Sequence, residues 1–197
     1  MLNLSAFIKT FTYLGVFTII FAESGLLVGL VLPGDSLLFS AGILASQHIM
    51  NIVVLIIAVL VAAVLGNVTG YGIGKKFGPA LFTRSRFLTT KQLEKAEKFF
   101  NRHGGKSVVI GRFVPVVRTV VPLLAGVGKM PLKRFNIYSI IGAVLWGGSV
   151  TLTGYYAGSR IPNVDKYVLP IIVVAILIAL IPSLIHLVSQ WRQPADQ

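Results

Sequence analysis

The chain has 197 residues, 55% hydrophobic and 12% charged, with a formal net charge of +12 and a mean hydropathy of +0.83. That composition lies outside the range of soluble globular domains and marks an integral membrane protein. The lack of cysteine excludes disulfides, thiol catalysis and thiolate metal sites.

Apolar runs of the length that crosses a bilayer, on the order of 20 residues, occupy about 11–31, 52–72, 136–157 and 168–188. The first carries Lys9 ahead of it and no small-residue cleavage site before Glu23, so it reads as an uncleaved span rather than a signal peptide. Pro33-Gly34 breaks the chain next, since proline lacks the amide donor and glycine relaxes the backbone. From Asp35 to Ser46, "DSLLFSAGILAS" resumes an apolar pattern for about three turns, half a membrane's thickness at roughly 1.5 Å per residue. A re-entrant hairpin is expected there.

The span at 52–72 ends in Gly66, Gly70, Gly74 and Gly78, a helical row that predicts a flat packing ridge rather than a phosphate-cradling loop, because no strand precedes it. Nine of the eighteen basic residues follow between Lys75 and Lys106. A basic loop between spans is an orientation signal for the cytoplasmic side and touches anionic headgroups, a reading preferred to nucleic-acid binding. Within it, "TTKQLEKAEKFFNRH" (89–103) is amphipathic and predicts a cytoplasmic helix lying on the membrane surface or on the protein's underside. Gly104-Gly105 would cap it.

"RFVPVVRTVVPLLAGVG" (112–128) is apolar, yet holds two arginines and two prolines, and predicts a second broken segment. Lys129, Lys133 and Arg134 form a second basic cluster. With both clusters inside, the chain has four full spans, both termini cytoplasmic, and two broken segments entering from opposite faces. "PGDSLLFSAG" (33–42) and "PVVRTVVPLLAG" (115–126) echo each other, as in inverted-repeat transporters, whose interrupted segments mark the binding site. The fold class is thus an all-α polytopic membrane protein in one domain, 1–197, with opposed re-entrant hairpins and a final span at 168–188 ending at Trp191-Arg192, an interfacial anchor.

Four ionisable side chains fall in embedded stretches: Glu23, Asp35, Arg112 and Arg118. A charge at the bilayer centre costs about 2.5–3.5 kcal/mol, so four unpaired would cost about 10–14 kcal/mol. They must be paired, hydrated or neutralised. On an unbroken helix residues six apart diverge by about 120°; a break at Pro115 lets Arg112 and Arg118 converge on one anion. Arginine's planar fork suits phosphate, whereas Glu23 and Asp35 are candidates to take up and release protons. Static ion pairs serving assembly are the alternative. Asn67 and Tyr71 can add hydrogen-bonding groups, although helix packing explains them nearly as well. His48, His103 and His186 are scattered without carboxylates at ligand spacing, so neither metal nor cofactor is expected.

The motifs "FAESGLLVGLVLPGDSLLFSAGILAS", "GNVTGYGIGKKFG" and "GRFVPVVRTVVPLLAGVGKM" together resemble the DedA family of bacterial inner-membrane proteins, which share the SNARE-associated or VTT domain, over about 23–158. The resemblance implies facing re-entrant hairpins and movement of lipids between leaflets, with undecaprenyl phosphate as a substrate of several members and phospholipids of eukaryotic ones. It places the family's acids on Glu23 and Asp35 and its arginines on Arg112 and Arg118, with Pro33, Gly34, Pro115 and Thr119 in the surrounding motifs. Asn67 stands where some members carry an acid, which puts a proton relay through that position in question.

The expectation is a proton-coupled flippase for polyprenyl phosphate or a phospholipid, not an enzyme, in the bacterial cytoplasmic membrane. Its partners would be the lipid, protons and surrounding membrane lipids, with no nucleic acid and with homo-oligomerisation left open. A proton-coupled cation or drug antiporter is the main rival, disfavoured by two arginines in the site. A phosphatase would need a nucleophile with a partnered histidine or several carboxylates around a metal, and the chain has only six acids in total.

Overall fold

A computed structural model of the chain describes residues 4–26, 34–84 and 102–160, and these are helical and connecting segments. Helix α1 covers Leu4–Gly25, α2 Gly34–Ser46, α3 Ile52–Arg84, α4 Lys106–Gly111, α5 Pro115–Val127 and α6 Leu132–Ala143, which continues through a π-helical turn, Val144–Gly148, into α7, Ser149–Arg160. No strand occurs among the described residues. The expected surface helix at 89–103, the final span at 168–188 with its Trp191-Arg192 anchor, and Pro33 lie outside the described residues, apart from Arg102 and His103.

Two helices among the described residues are long and apolar enough to cross a membrane: Ile52–Gly78 within α3, and the continuous Leu132–Arg160. Both outlast their expected spans. α3 runs on through Lys75 and Lys76 to Arg84, so part of the basic stretch is helix rather than loop; lysine and arginine are good helix formers and carry their charge to the aqueous boundary. α2 and α5 have 13 residues each, half a membrane's thickness. Pro115 opens α5 at a position where its missing amide hydrogen costs nothing, and Val114 before it is extended (φ −110°, ψ 112°), as a residue preceding proline prefers.

The outward faces are apolar. On α3 Val53, Val54, Ile57, Val61 and Leu65 are exposed, and on the second long helix Ile137, Ile140, Ile141, Val144 and Leu145 are exposed. A surface of that kind is solvated by hydrocarbon rather than water. Inside, one apolar core joins Ile20, Leu38, Leu55, Val59 and Trp146. A second joins Tyr71, Val108, Val121, Ala125 and Phe135.

Glycines set the helix contacts, and they do so twice. The row on α3 forms the expected ridge: Gly66 lies on Phe21 and Gly25 of α1, Gly74 on the Leu123 carbonyl of α5, and Gly78 on Val127. In return Gly126 of α5 lies against Tyr71 and Lys75 of α3. The same exchange joins α2 and α7: Gly42 lies against Thr151 and Tyr155, Gly154 against the Phe39 carbonyl, and Gly158 against Ile43 and Ser46. The Ala-Gly echo at 41–42 and 125–126 is therefore an echo in packing. Each short helix docks on the long helix of the other half of the chain.

The two short helices also end alike. His48 and Lys129 have φ of 60° and 50°, and the following amides, Ile49 and Met130, donate to carbonyls five residues back, Leu44 at 3.2 Å and Ala125 at 3.0 Å. This is the left-handed cap that satisfies terminal carbonyls.

Candidate functional site

The first turns of α2 and α5 meet. Asp35 is the second residue of α2 and Arg118 the fourth of α5, and Arg118 Nη1 donates to Asp35 Oδ1 at 2.6 Å. Arg118 Nη2 donates in addition to Glu23 Oε1, which projects from the end of α1. One guanidinium is thus shared by two carboxylates from two other helices. The pair with Glu23 is deeply placed, the side chains being 10% and 2% exposed, whereas Asp35 is 47% exposed and forms the outward side of the cluster. Gly34 makes room for the arrangement: the Glu23 carboxylate occupies the space that any side chain at position 34 would fill.

Arg112, 5% exposed, lies across the Pro115 break. Its Nη2 donates to the Ala63 carbonyl at 3.3 Å and to the side-chain oxygen of Asn67. Neighbouring groups fix the orientation of that amide: its nitrogen donates to the Ser24 carbonyl at 3.0 Å and its oxygen also accepts from Ser139 Oγ at 2.7 Å. Gly142 leaves space for the arginine stem, since a Cβ there would stand 2.9 Å from Arg112 Cδ.

Trp146 binds the two halves of the cluster. Its indole N–H donates to Asp35 Oδ1 at 2.8 Å, and the guanidinium carbons of Arg118 and Arg112 lie 4.9 Å and 5.9 Å from its ring centre, within cation–π range. The chain break at Pro115 therefore brings both arginines to one ring, not to one shared hydrogen-bond acceptor. Arg118 takes the acids and Arg112 takes a neutral cradle. The ring stands on the π-helical turn Val144–Gly148, a kind of irregularity frequent at functional sites.

Some hydrogen-bonding capacity stays unused among the described residues: Glu23 Oε2, Arg112 Nε and Arg118 Nε are buried without a partner. The cluster holds fixed charge together with unfilled donors and an unfilled acceptor, a combination suited to exchanging partners.

Of the remaining sequence candidates, Thr119 is buried on α5 beside Arg118. Asn67 serves Arg112 directly. Tyr71 does not join the charged cluster: its hydroxyl donates to the Met130 carbonyl at 2.5 Å and its ring stacks on Phe135 at 4.9 Å, so it ties α3 to the start of α6. Trp146, Ser24 and Ser139 were not singled out by sequence reasoning. Trp146 had a readable signal, because tryptophan favours the membrane boundary and one in mid-span needs a partner for its N–H. Replacing it with phenylalanine is expected to keep the apolar packing, free Asp35 from one charge-assisted hydrogen bond and lower stability by about 1.5–3 kcal/mol, measured by thermal or denaturant unfolding in detergent; an unchanged stability would remove Trp146 from the cluster's support.

Sequence comparison identifies the family of the chain. Residues 32–156 match the model of the VTT domain, a stretch that contains Asp35, both arginines and Trp146. Protein DedA of Escherichia coli strain K12 is 40% identical over 187 residues, which cover 93% of this chain and 85% of that protein. An uncharacterized membrane protein of Mycobacterium leprae is 43% identical over 84% of this chain and 76% of its own length, and inner membrane protein YghB of Escherichia coli strain K12 is 36% identical over 81% and 74%. No solved structure matches at a significant level. With a VTT domain across most of its length and relatives of this similarity, the chain belongs to the DedA family of membrane proteins.

Proposed function

We propose that the protein is a transporter that carries a phosphate-bearing lipid, undecaprenyl phosphate first among the substrates considered, between the leaflets of the bacterial cytoplasmic membrane, coupled to protons. The observation that supports this most is the sharing of Arg118 between Glu23 and Asp35 where the first turns of two half-length helices meet. Helix N-termini carry partial positive charge, and interrupted helices that aim such ends at one point form anion sites in transporters.

In this reading the acids hold Arg118 in the empty state. Protonation of a carboxylate weakens its hold, and the released fork takes the phosphate in its place. Deprotonation restores the ion pairs and expels the headgroup. The tail stays in hydrocarbon throughout, so only a half-deep passage is needed. The short helices α2 and α5 act as re-entrant hairpins from opposite faces, with basic segments and both termini on the cytoplasmic side. No covalent chemistry is required of the protein.

The test is flux of a fluorescent polyprenyl phosphate in proteoliposomes holding the purified protein, with and without a pH gradient. Lipid movement that depends on the protein and accelerates with the gradient is expected. Proton movement driven by a soluble cation, with no lipid movement, would instead establish the antiporter.

A further inference from the structure

A groove of about 570 Å³ runs where α4 meets α5. One end is rimmed by Arg102, His103 and Lys106, and the rest is walled by Ile110, Val114 and Val117. Ile110 is 66% exposed, so the apolar wall is open to the surroundings. Between rim and wall sits Ser107, 8% exposed, which lines the groove and whose hydroxyl has no partner among the described residues. Cationic residues, a buried spare hydroxyl and exposed apolar residues follow in that order along the chain from Arg102 through α4 to Val117.

The neighbouring surface fixes which end faces water. Gly104 has φ of 60°, and a Cβ on it would stand 2.7 Å from the Arg134 guanidinium. A second groove, about 510 Å³, begins at Lys133 and Arg134 and continues over Ile137 and Ile141. Basic residues thus collar the same end of α4 and α6, and apolar residues run away from them on both helices. That is the profile of a membrane boundary, with cationic groups at headgroup level and aliphatic ones at chain level.

We infer that the α4–α5 groove is a docking site for a membrane lipid with an anionic phosphate headgroup: Arg102, Lys106 and the Ser107 hydroxyl take the phosphate, and one chain lies along Ile110, Val114 and Val117. This deepens the transport reading and rests on it, because the groove then receives the lipid before its headgroup passes to Arg118. The link is covalent and short. Gly111 and Val117, which line the groove, immediately precede Arg112 and Arg118, and Val117 and Val121 press on Gly111 where α4 meets α5. A lipid seated in the groove contacts the residues that immediately precede both arginines.

The chain has no cysteine, so a single Ile110→Cys carries a bimane label uniquely. The labelled protein is placed in phosphatidylcholine vesicles with rising fractions of dibrominated phosphatidic acid or dibrominated phosphatidylcholine, and quenching is read. The acidic lipid is expected to quench at a lower mole fraction, and Arg102→Gln or Lys106→Gln each to weaken that preference about fivefold, the effect of one basic residue near a membrane surface. Both residues are exposed, so folding is not at stake. A label at Ile57→Cys, on the lipid-facing side of α3, is expected to show no preference. Equal preference at Ile57, or a preference that survives loss of both basic residues, would overturn the groove as a site. Flux measured on the same vesicles, with Arg118 intact, separates the two readings: groove preference without flux leaves the site standing and removes transport, whereas flux without groove preference does the reverse.

Discussion

Arg118→Gln is expected to abolish lipid flux and to destabilise the purified protein by about 3–5 kcal/mol, the usual cost of removing one partner from a buried ion pair. The reason is the asymmetry of the cluster. Glu23 is 1% exposed and has one carboxylate oxygen on Arg118 and the other without a partner, so loss of the guanidinium leaves it with no compensating charge and with Asp35 nearby. Glu23→Gln is the milder change, since Arg118 keeps Asp35 at 2.6 Å. The double variant Glu23→Gln/Arg118→Gln should recover much of the stability but none of the flux, a non-additivity that unfolding of the four proteins in detergent would measure. If the double variant also transports, the cluster serves assembly and the carrier reading fails.

The second large effect comes from a residue without charge. Gly154→Val is expected to cost stability by about 1–3 kcal/mol, the range for overpacking, and to suppress flux although every ionisable group is intact. Any side chain at Gly154 runs into the Phe39 carbonyl, a backbone atom that moves only with its helix. Pushing α2 off α7 displaces Asp35, one turn before Phe39, from both Arg118 and Trp146. Gly72→Val is the matched control: nothing lies within 4 Å of a Cβ at that position, and flux should be unchanged. Equal loss in both variants would mean that helix propensity, not the α2–α7 contact, is responsible.

The parts of this arrangement that were legible beforehand are those for which residue type carries the signal. A carboxylate or guanidinium in an apolar run must find a partner, which brought Glu23, Asp35 and Arg118 to attention. Pro115 announces a helix break, and the row of four glycines on α3 announces close packing. What escaped prediction rests on partners that no residue type advertises. Arg112 was expected beside Arg118 on one anion, but the Ala63 carbonyl takes part of its hydrogen bonding, and any residue can supply a carbonyl. For Asn67 and Tyr71 residue type leaves a cavity role and helix packing nearly equal; four residues apart on α3, they divide between the two, Asn67 serving the arginine and Tyr71 the Met130 carbonyl. The π-helical turn that holds Trp146 has no counterpart in apolar periodicity.

The crossed docking of the short helices bears on how the chain is made. Asp35 finds its guanidinium 83 residues later, and Glu23 waits 95; Gly42 likewise seats on α7, whose residues are among the last described. At about 5–20 residues per second of synthesis, an acid-bearing α2 spends roughly 4–17 s in the translocation machinery or the bilayer before its counter-charge exists. The two halves are therefore mutual templates: a nascent chain halted after α3 carries both acids without the guanidinium that pairs with them in the finished fold.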